Sequence, residues 1–188
     1  RGRSDGTRRL PARGHALEKD RSSRIFPALA AACAYPYCAG SEGAATAMRT
    51  NLPVTGREHP FPPGQILVSV TDPKGRITYC NPAFILLSGY SREELLGQPH
   101  NLVRHPDMPE EAFRDLWATI ESGVPWSGLV KNRRKNGDHY WVQANAAPMM
   151  NGNRIVGYLS VRTQAPSEAV AAADALYAQM RDDERNGR

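Results

Sequence analysis

The 188-residue chain has few cysteines, only Cys33, Cys38 and Cys80. That excludes a disulfide-stapled scaffold. Cys33 and Cys38 have no second pair or histidine cluster that would complete a zinc site, so no metal site is expected. No apolar run approaches the roughly 18 residues a membrane span needs, so no membrane contact is expected from this segment. A phosphate-cradling glycine-rich loop is also missing, as is any nucleophile–base–orienter set, which argues against an enzyme. Positive charge is scarce where it would matter. The net charge is +5, and residues 1–47 hold +4 of it, with eight Lys/Arg against four Asp/Glu. The remaining 141 residues carry +1 and offer no basic face for nucleic acid. Together these absences leave a protein of reducing, cytoplasmic type.

What is present begins after the tail. Residues 1–47 scatter Gly, Arg, Ser and Ala without period and read as a disordered tail or translated upstream sequence, with Met48 as a natural start. From Phe61 the texture changes. Ile66–Val70 is rich in β-formers, Asp72-Pro73-Lys74-Gly75 supplies a turn, and Arg76–Cys80 resumes as a second strand. Asn81-Pro82 opens a helix, with Asn as N-cap and Pro where no N–H is needed. Ser91 and Glu94 form a capping box for a second helix. Pro109 opens a third, in which Phe113, Leu116, Trp117 and Ile120 fall on one face. Three strands follow, Trp126–Arg134, His139–Met149 and Arg154–Arg162, separated by Asn136-Gly137 and Asn151-Gly152 turns. Ser167 is expected to cap a last helix carrying Val170, Ala173, Leu176, Tyr177 and Met180 on one side. The order β-β-α-α-α-β-β-β-α implies an α+β fold: a five-stranded antiparallel sheet, helices on one face and a trailing C-terminal helix. A small-molecule pocket is expected between sheet and helices.

Several strings carry a family resemblance. Asp72-Pro73-Lys74-Gly75-Arg76-Ile77, Asn81-Pro82-Ala83-Phe84 and Ser88-Gly89-Tyr90-Ser91 resemble a PAS domain. Two longer strings, Gly97 to Pro109 and Pro125 to Trp141, closely resemble the sensory PAS domain of bacterial aerotaxis receptors. The resemblance covers about residues 61–180. It implies a PAS sensor domain at 61–165, a connector helix at 166–188, non-covalent FAD, and redox or oxygen sensing in aerotaxis or related signal transduction. It further implies a signalling module of a chemoreceptor or other transducer as partner; a homodimer is expected under the alternative of a cofactor-free interaction module. By matching position it implies that Asn81, Arg104, His105, Asp107 and Trp117 are needed for flavin binding, and that Trp126 and Asn132 line the flavin pocket.

The residue types suit that ligand. Tryptophans offer planes for a flat ring, Asn132 can donate and accept at an imide edge, and Arg104 and His105 suit a diphosphate. They also allow plainer roles. Asp107 reads as the N-cap of the third helix, Asn81 as the cap of the first, and Trp117 as core. No cysteine occurs within residues 91–125, which disfavours flavin-adduct photochemistry. A cofactor-free PAS interaction module and a haem gas sensor using one of His100, His105 or His139 remain as alternatives.

Overall fold

The computed structural model describes residues 51–187. Expectations for residues 1–47, Cys33 and Cys38 included, lie outside the described residues. The first strand, β1 (Leu67–Thr71), turns through Asp72–Gly75 into β2 (Ile77–Cys80). The Asp72 carboxylate closes the turn by accepting from the backbone N–H groups of Lys74 and Arg76. Three helical segments follow, α1 (Pro82–Ser88), α2 (Arg92–Leu95) and α3 (Glu110–Glu121), with a 3₁₀ turn, His100–Val103, between the last two. The long strands β3 (Trp126–Arg133), β4 (His139–Asn151) and β5 (Arg154–Gln164) then form a meander, and α4 (Ser167–Arg185) ends the domain.

The strands assemble as one antiparallel sheet in the order β2-β1-β5-β4-β3. This is the expected α+β architecture. Both capping bonds of the Ser91–Glu94 box are made. Asn81 caps α1 and goes further. Its Oδ1 accepts from Phe84 N and Val68 N, and its Nδ2 donates to Ile66 O, so one side chain ties α1 to the start of β1.

Two caps differ from expectation. Asp107 does not cap α3. Pro109 occupies that position without a side-chain bond, and the Asp107 carboxylate instead meets Lys131 Nζ at 2.7 Å, because a buried ammonium draws it to the sheet. Ser167 is the first residue of α4, and Pro166 takes the cap position.

Register decides which side chains enter the core. Val130↔Val142, Asn132↔Tyr140, Ala144↔Arg162 and Ser69↔Ser160 are paired positions, so all of these side chains share one face. That face packs against α1–α3 around Leu67, Phe84, Leu95, Val103 and Ile120. The alternate residues Leu129, Lys131 and Trp141 point the other way, and α4 lies there. Tyr177 stacks on Trp141 and donates its hydroxyl to Leu129 O. Residues 51–59, ahead of the expected boundary at 61, also attach to this unit. Thr55 N donates to Gly137 O, and His59 and His139 exchange backbone bonds with the strand and strap opposite. Gly137 has φ +97°, and a Cβ there would lie 2.7 Å from Pro53 O, so the turn needs glycine twice over.

Candidate functional site

Between the inward sheet face and α3 lies a cavity of about 340 Å³, within the size range of small-molecule sites. Its apolar wall is built by periodicity. Phe113, Leu116, Trp117 and Ile120, one stripe of α3, all line it, and Val130, Ala144 and Ala146 line it from the strands. The Trp117 ring meets the Tyr158 ring edge-on, with centroids 5.4 Å apart.

The polar lining is concentrated. Arg162 on β5 is 5% exposed and projects from the core face. Its guanidinium donates to Ser69 Oγ at 3.1 Å and to His100 Nε2 at 2.8 Å. A guanidinium has only donors, so Nε2 must accept, and His100 is a neutral imidazole with its proton on Nδ1. Burial first, then the Arg162 charge, pulls the His100 pKa down to about 3. Burial likewise lowers Arg162 to about 10, against a raising effect from Tyr140. Tyr140 is driven up to about 12 by burial.

Asn132 is 3% exposed and lines the cavity, and its Nδ2 makes no well-aligned hydrogen bond, although it lies near enough to the facing Tyr140 hydroxyl to hold back the rise of that group's pKa. The Tyr140 hydroxyl and Thr71 Oγ1 are unpartnered as well. Buried polar groups are nearly always bonded. Asn132 and Thr71 line the cavity, and unpaired donors in its wall are what a polar-edged ligand would satisfy.

The residues singled out by resemblance separate into two groups. Arg104, Trp117 and Asn132 line the cavity. The Arg104 guanidinium sits 4.1 Å from the Phe113 ring centroid and donates to Met108 O and Pro109 O. Burial lowers its pKa to about 10, with Glu110 and Glu184 acting against that. The other group supports. Asn81 anchors α1 as described. His105 is buried and accepts at Nδ1 from Asp107 N, so it too is neutral, with burial taking its pKa down to about 4. Burial pushes the Asp107 carboxyl up, but its Lys131 hydrogen bond and the Lys131 and Arg181 charges outweigh that and hold it below the usual range. Trp126 donates Nε1 to Asp115 Oδ2 at 2.7 Å and lies over Gly128, where a Cβ would fall 2.5 Å from its ring.

Sequence reasoning named Tyr140 only as an aromatic plane and did not single out Arg162, Ser69 or Asp115. A period-2 reading of β5 carried the signal for Arg162. Tyr158, Ser160 and Arg162 alternate onto one face, which placed a charge inward. Among the described residues no group of three or more His, Cys, Asp or Glu could hold a metal. Among the described residues no helix is long and apolar enough to cross a membrane.

A family model described as "PAS fold" matches residues 77–162. These residues are a PAS domain. The Aerotaxis receptor of Escherichia coli K12 is 55% identical over 124 residues, 66% of this chain and 24% of the receptor. The Nitrogen fixation regulatory protein of Klebsiella pneumoniae is 35% identical over 86 residues, 46% of this chain and 17% of the regulator. The chain thus spans about a quarter or less of the length of these relatives. Among solved structures, the PAS domain of a Colwellia psychrerythraea protein matches with TM-score 0.50 and 28% identity, covering 53% of this chain and 86% of that one. A light-oxygen-voltage domain studied with a flavin analogue matches with TM-score 0.53 and 24% identity, over 66% and 90%, which speaks for the fold alone. The PAS domain is a signalling module rather than an enzyme.

Proposed function

We propose that this PAS domain binds FAD non-covalently in the cavity under α3 and reports redox or oxygen state to a signalling module of a chemoreceptor or other transducer, on the cytoplasmic side of its cell. One observation carries the ligand assignment. The Asn132 amide, with no partner for its Nδ2, lines a cavity whose α3 side is an aromatic and aliphatic stripe and whose other polar groups gather around Arg162, His100 and Arg104. A flavin ring is flat and apolar across its faces and carries carbonyls and ring nitrogens along one edge, so both kinds of surface find a match. The 55% identity to an aerotaxis receptor supports the sensory role.

When bound, FAD supplies reversible electron uptake coupled to proton uptake. The chain's own residues do the rest. Trp117 and Phe113 wall the slot and exclude water. Asn132 Nδ2 offers a donor to the ring edge. Arg104, at the cavity wall, is the cation suited to the diphosphate. Asn81, His105, Asp107 and Trp126 preserve the shape of the site. Asn81 joins α1 to β1, His105 and Asp107 hold the loop before α3, and Trp126 joins α3 to β3 through Asp115. Because Asn132 and Lys131 are neighbours on β3, a change in hydrogen bonding at the cavity lies one residue from the Lys131 contacts with Asp107 and Asp174 of α4. A buried polar group gained or lost is worth about 1–3 kcal/mol, comparable to ordinary coupling energies between sites.

A haem sensor is the weaker reading. His100 is the histidine on the cavity wall, and the lone pair it would lend to iron already accepts from Arg162. Titration of the purified chain with FAD tests the proposal. Saturable uptake that weakens in Asn132→Ala and Trp117→Ala supports it, and no uptake by the wild type refutes it.

A further inference from the structure

The cavity wall near Arg104 is stitched down by a residue far away in sequence. Asn51 is 6% exposed, and its Nδ2 donates to Asn101 O at 2.8 Å and to Arg104 O at 2.9 Å. These carbonyls lie at the end of the 3₁₀ turn His100–Val103: Asn101 O also accepts from Arg104 N, and Arg104 is the residue that closes the turn. Asn101 and Arg104 both line the cavity. The far side of the same short stretch is held by β3, through the Arg104↔Asn132 bridge and the bond from His105 N to Lys131 O. Arg104 therefore lies between a strap and a strand, and its side chain reaches from there to Phe113 and to the Met108 and Pro109 carbonyls.

The strap itself is firmly seated beside Asn51. The buried Arg133 guanidinium donates to Leu52 O and Pro53 O, both at 2.8 Å. Asn51 thus presents its amide from a fixed base, and the two carbonyls it meets fix the backbone that aims Arg104.

We propose that Asn51 is a positioning residue for the ligand site: its amide holds the Asn101–Arg104 backbone, and so sets the cavity wall that grips the ligand. The identity of that ligand as FAD rests on the reading above. The stitch itself does not.

The test compares the 188-residue wild type, Asn51→Asp and Thr55→Ala. Asn51→Asp removes both donors with almost no change in shape. Thr55→Ala removes the strap's bond to Asp138 at its other end and controls for general loosening. Asn51→Asp should release FAD about tenfold faster, the effect of losing hydrogen bonds worth roughly 1.4 kcal/mol. It should also alter the visible circular dichroism of the bound flavin and speed amide hydrogen exchange at residues 102–105. Thr55→Ala should leave release and the flavin spectrum at wild-type values. Unchanged release in Asn51→Asp, or equal acceleration in both variants, overturns the proposal. Should the wild type take up no FAD, the flavin reading fails and exchange decides the stitch: faster exchange at 102–105 in Asn51→Asp upholds it, and unchanged exchange overturns it.

Discussion

Arg162 donates to His100 Nε2 at 2.8 Å inside the sheet-facing core, which fixes the imidazole as neutral. Protonating His100 would place two cations side by side in a buried site. Its folded pKa, down to about 3, therefore lies well below the 6.5 of an unfolded histidine. His105 follows at about 4, again chiefly through burial. The unfolded chain binds these protons first, so stability falls with acid. It is complete above about pH 6.5 and declines as pH drops through the window toward 4 and then 3. Each histidine contributes a slope of about 1.4 kcal/mol per pH unit. Urea melts from pH 7.5 to 4.5 check this. The slope should drop in His100→Gln, and an unchanged slope in that variant would contradict the assignment.

Asn132→Leu should separate folding from binding. It removes an unpartnered buried amide, so the ligand-free protein should melt at or slightly above the wild-type temperature. Flavin affinity should fall about tenfold for the lost ring-edge bond. Thermal melts without ligand and a fluorescence titration with FAD measure the two effects. A large loss of stability without ligand would show that the amide is already satisfied by the fold.

Gly128→Ala should displace Trp126. The added Cβ would lie 2.5 Å from the indole, and the ring is held at its other end by Asp115. Overpacking of this kind costs about 1–3 kcal/mol. A red-shifted tryptophan emission and a lower Tm are expected. Asp115→Ala should move emission in the same direction at smaller cost, because the ring keeps its packing.

Asp107→Ala should destabilise more than Lys131→Met. The Lys131 side chain is 10% exposed, whereas that of Asp107 is 41% exposed. Deleting the acid strands a buried ammonium, with only Asp174 at 3.4 Å left to it, at a cost of about 1–3 kcal/mol. Deleting the lysine leaves carboxylates that reach water, and methionine fills the same space, so the cost should stay under about 1 kcal/mol. Denaturant midpoints of the two variants rank them. The reverse order would mean that the lysine is hydrated in solution.

Local signals carried most of the fold. The Asn-Gly dipeptides mark hairpin turns because positive φ is cheap there, and the Ser91–Glu94 box announces a helix start through bonds only three residues apart. The α3 stripe was readable for the same reason, since four side chains at helical spacing had to share one face. What escaped was long-range. Asn51 finds carbonyls 50 and 53 residues away, and Trp126 finds Asp115 across the gap between a helix and a strand. Asp107 looked like a cap because Glu110 stands three residues on, but a buried lysine on β3 outbids a helix terminus that water can reach. At the site, Asn132, Trp117 and Arg104 were legible through resemblance. The Arg162–His100–Ser69 cluster was not, because it joins three elements and no single stretch of chain displays it.

The central claim is that the slot under α3 holds a redox-active flavin. Its most direct measurement is the visible absorption spectrum of the purified chain after FAD loading and gel filtration, recorded oxidised and after dithionite. The account predicts flavin bands that co-elute with protein in near-equal molar ratio and bleach on reduction. A protein peak free of visible absorbance after loading, or a Soret band in its place, would contradict it.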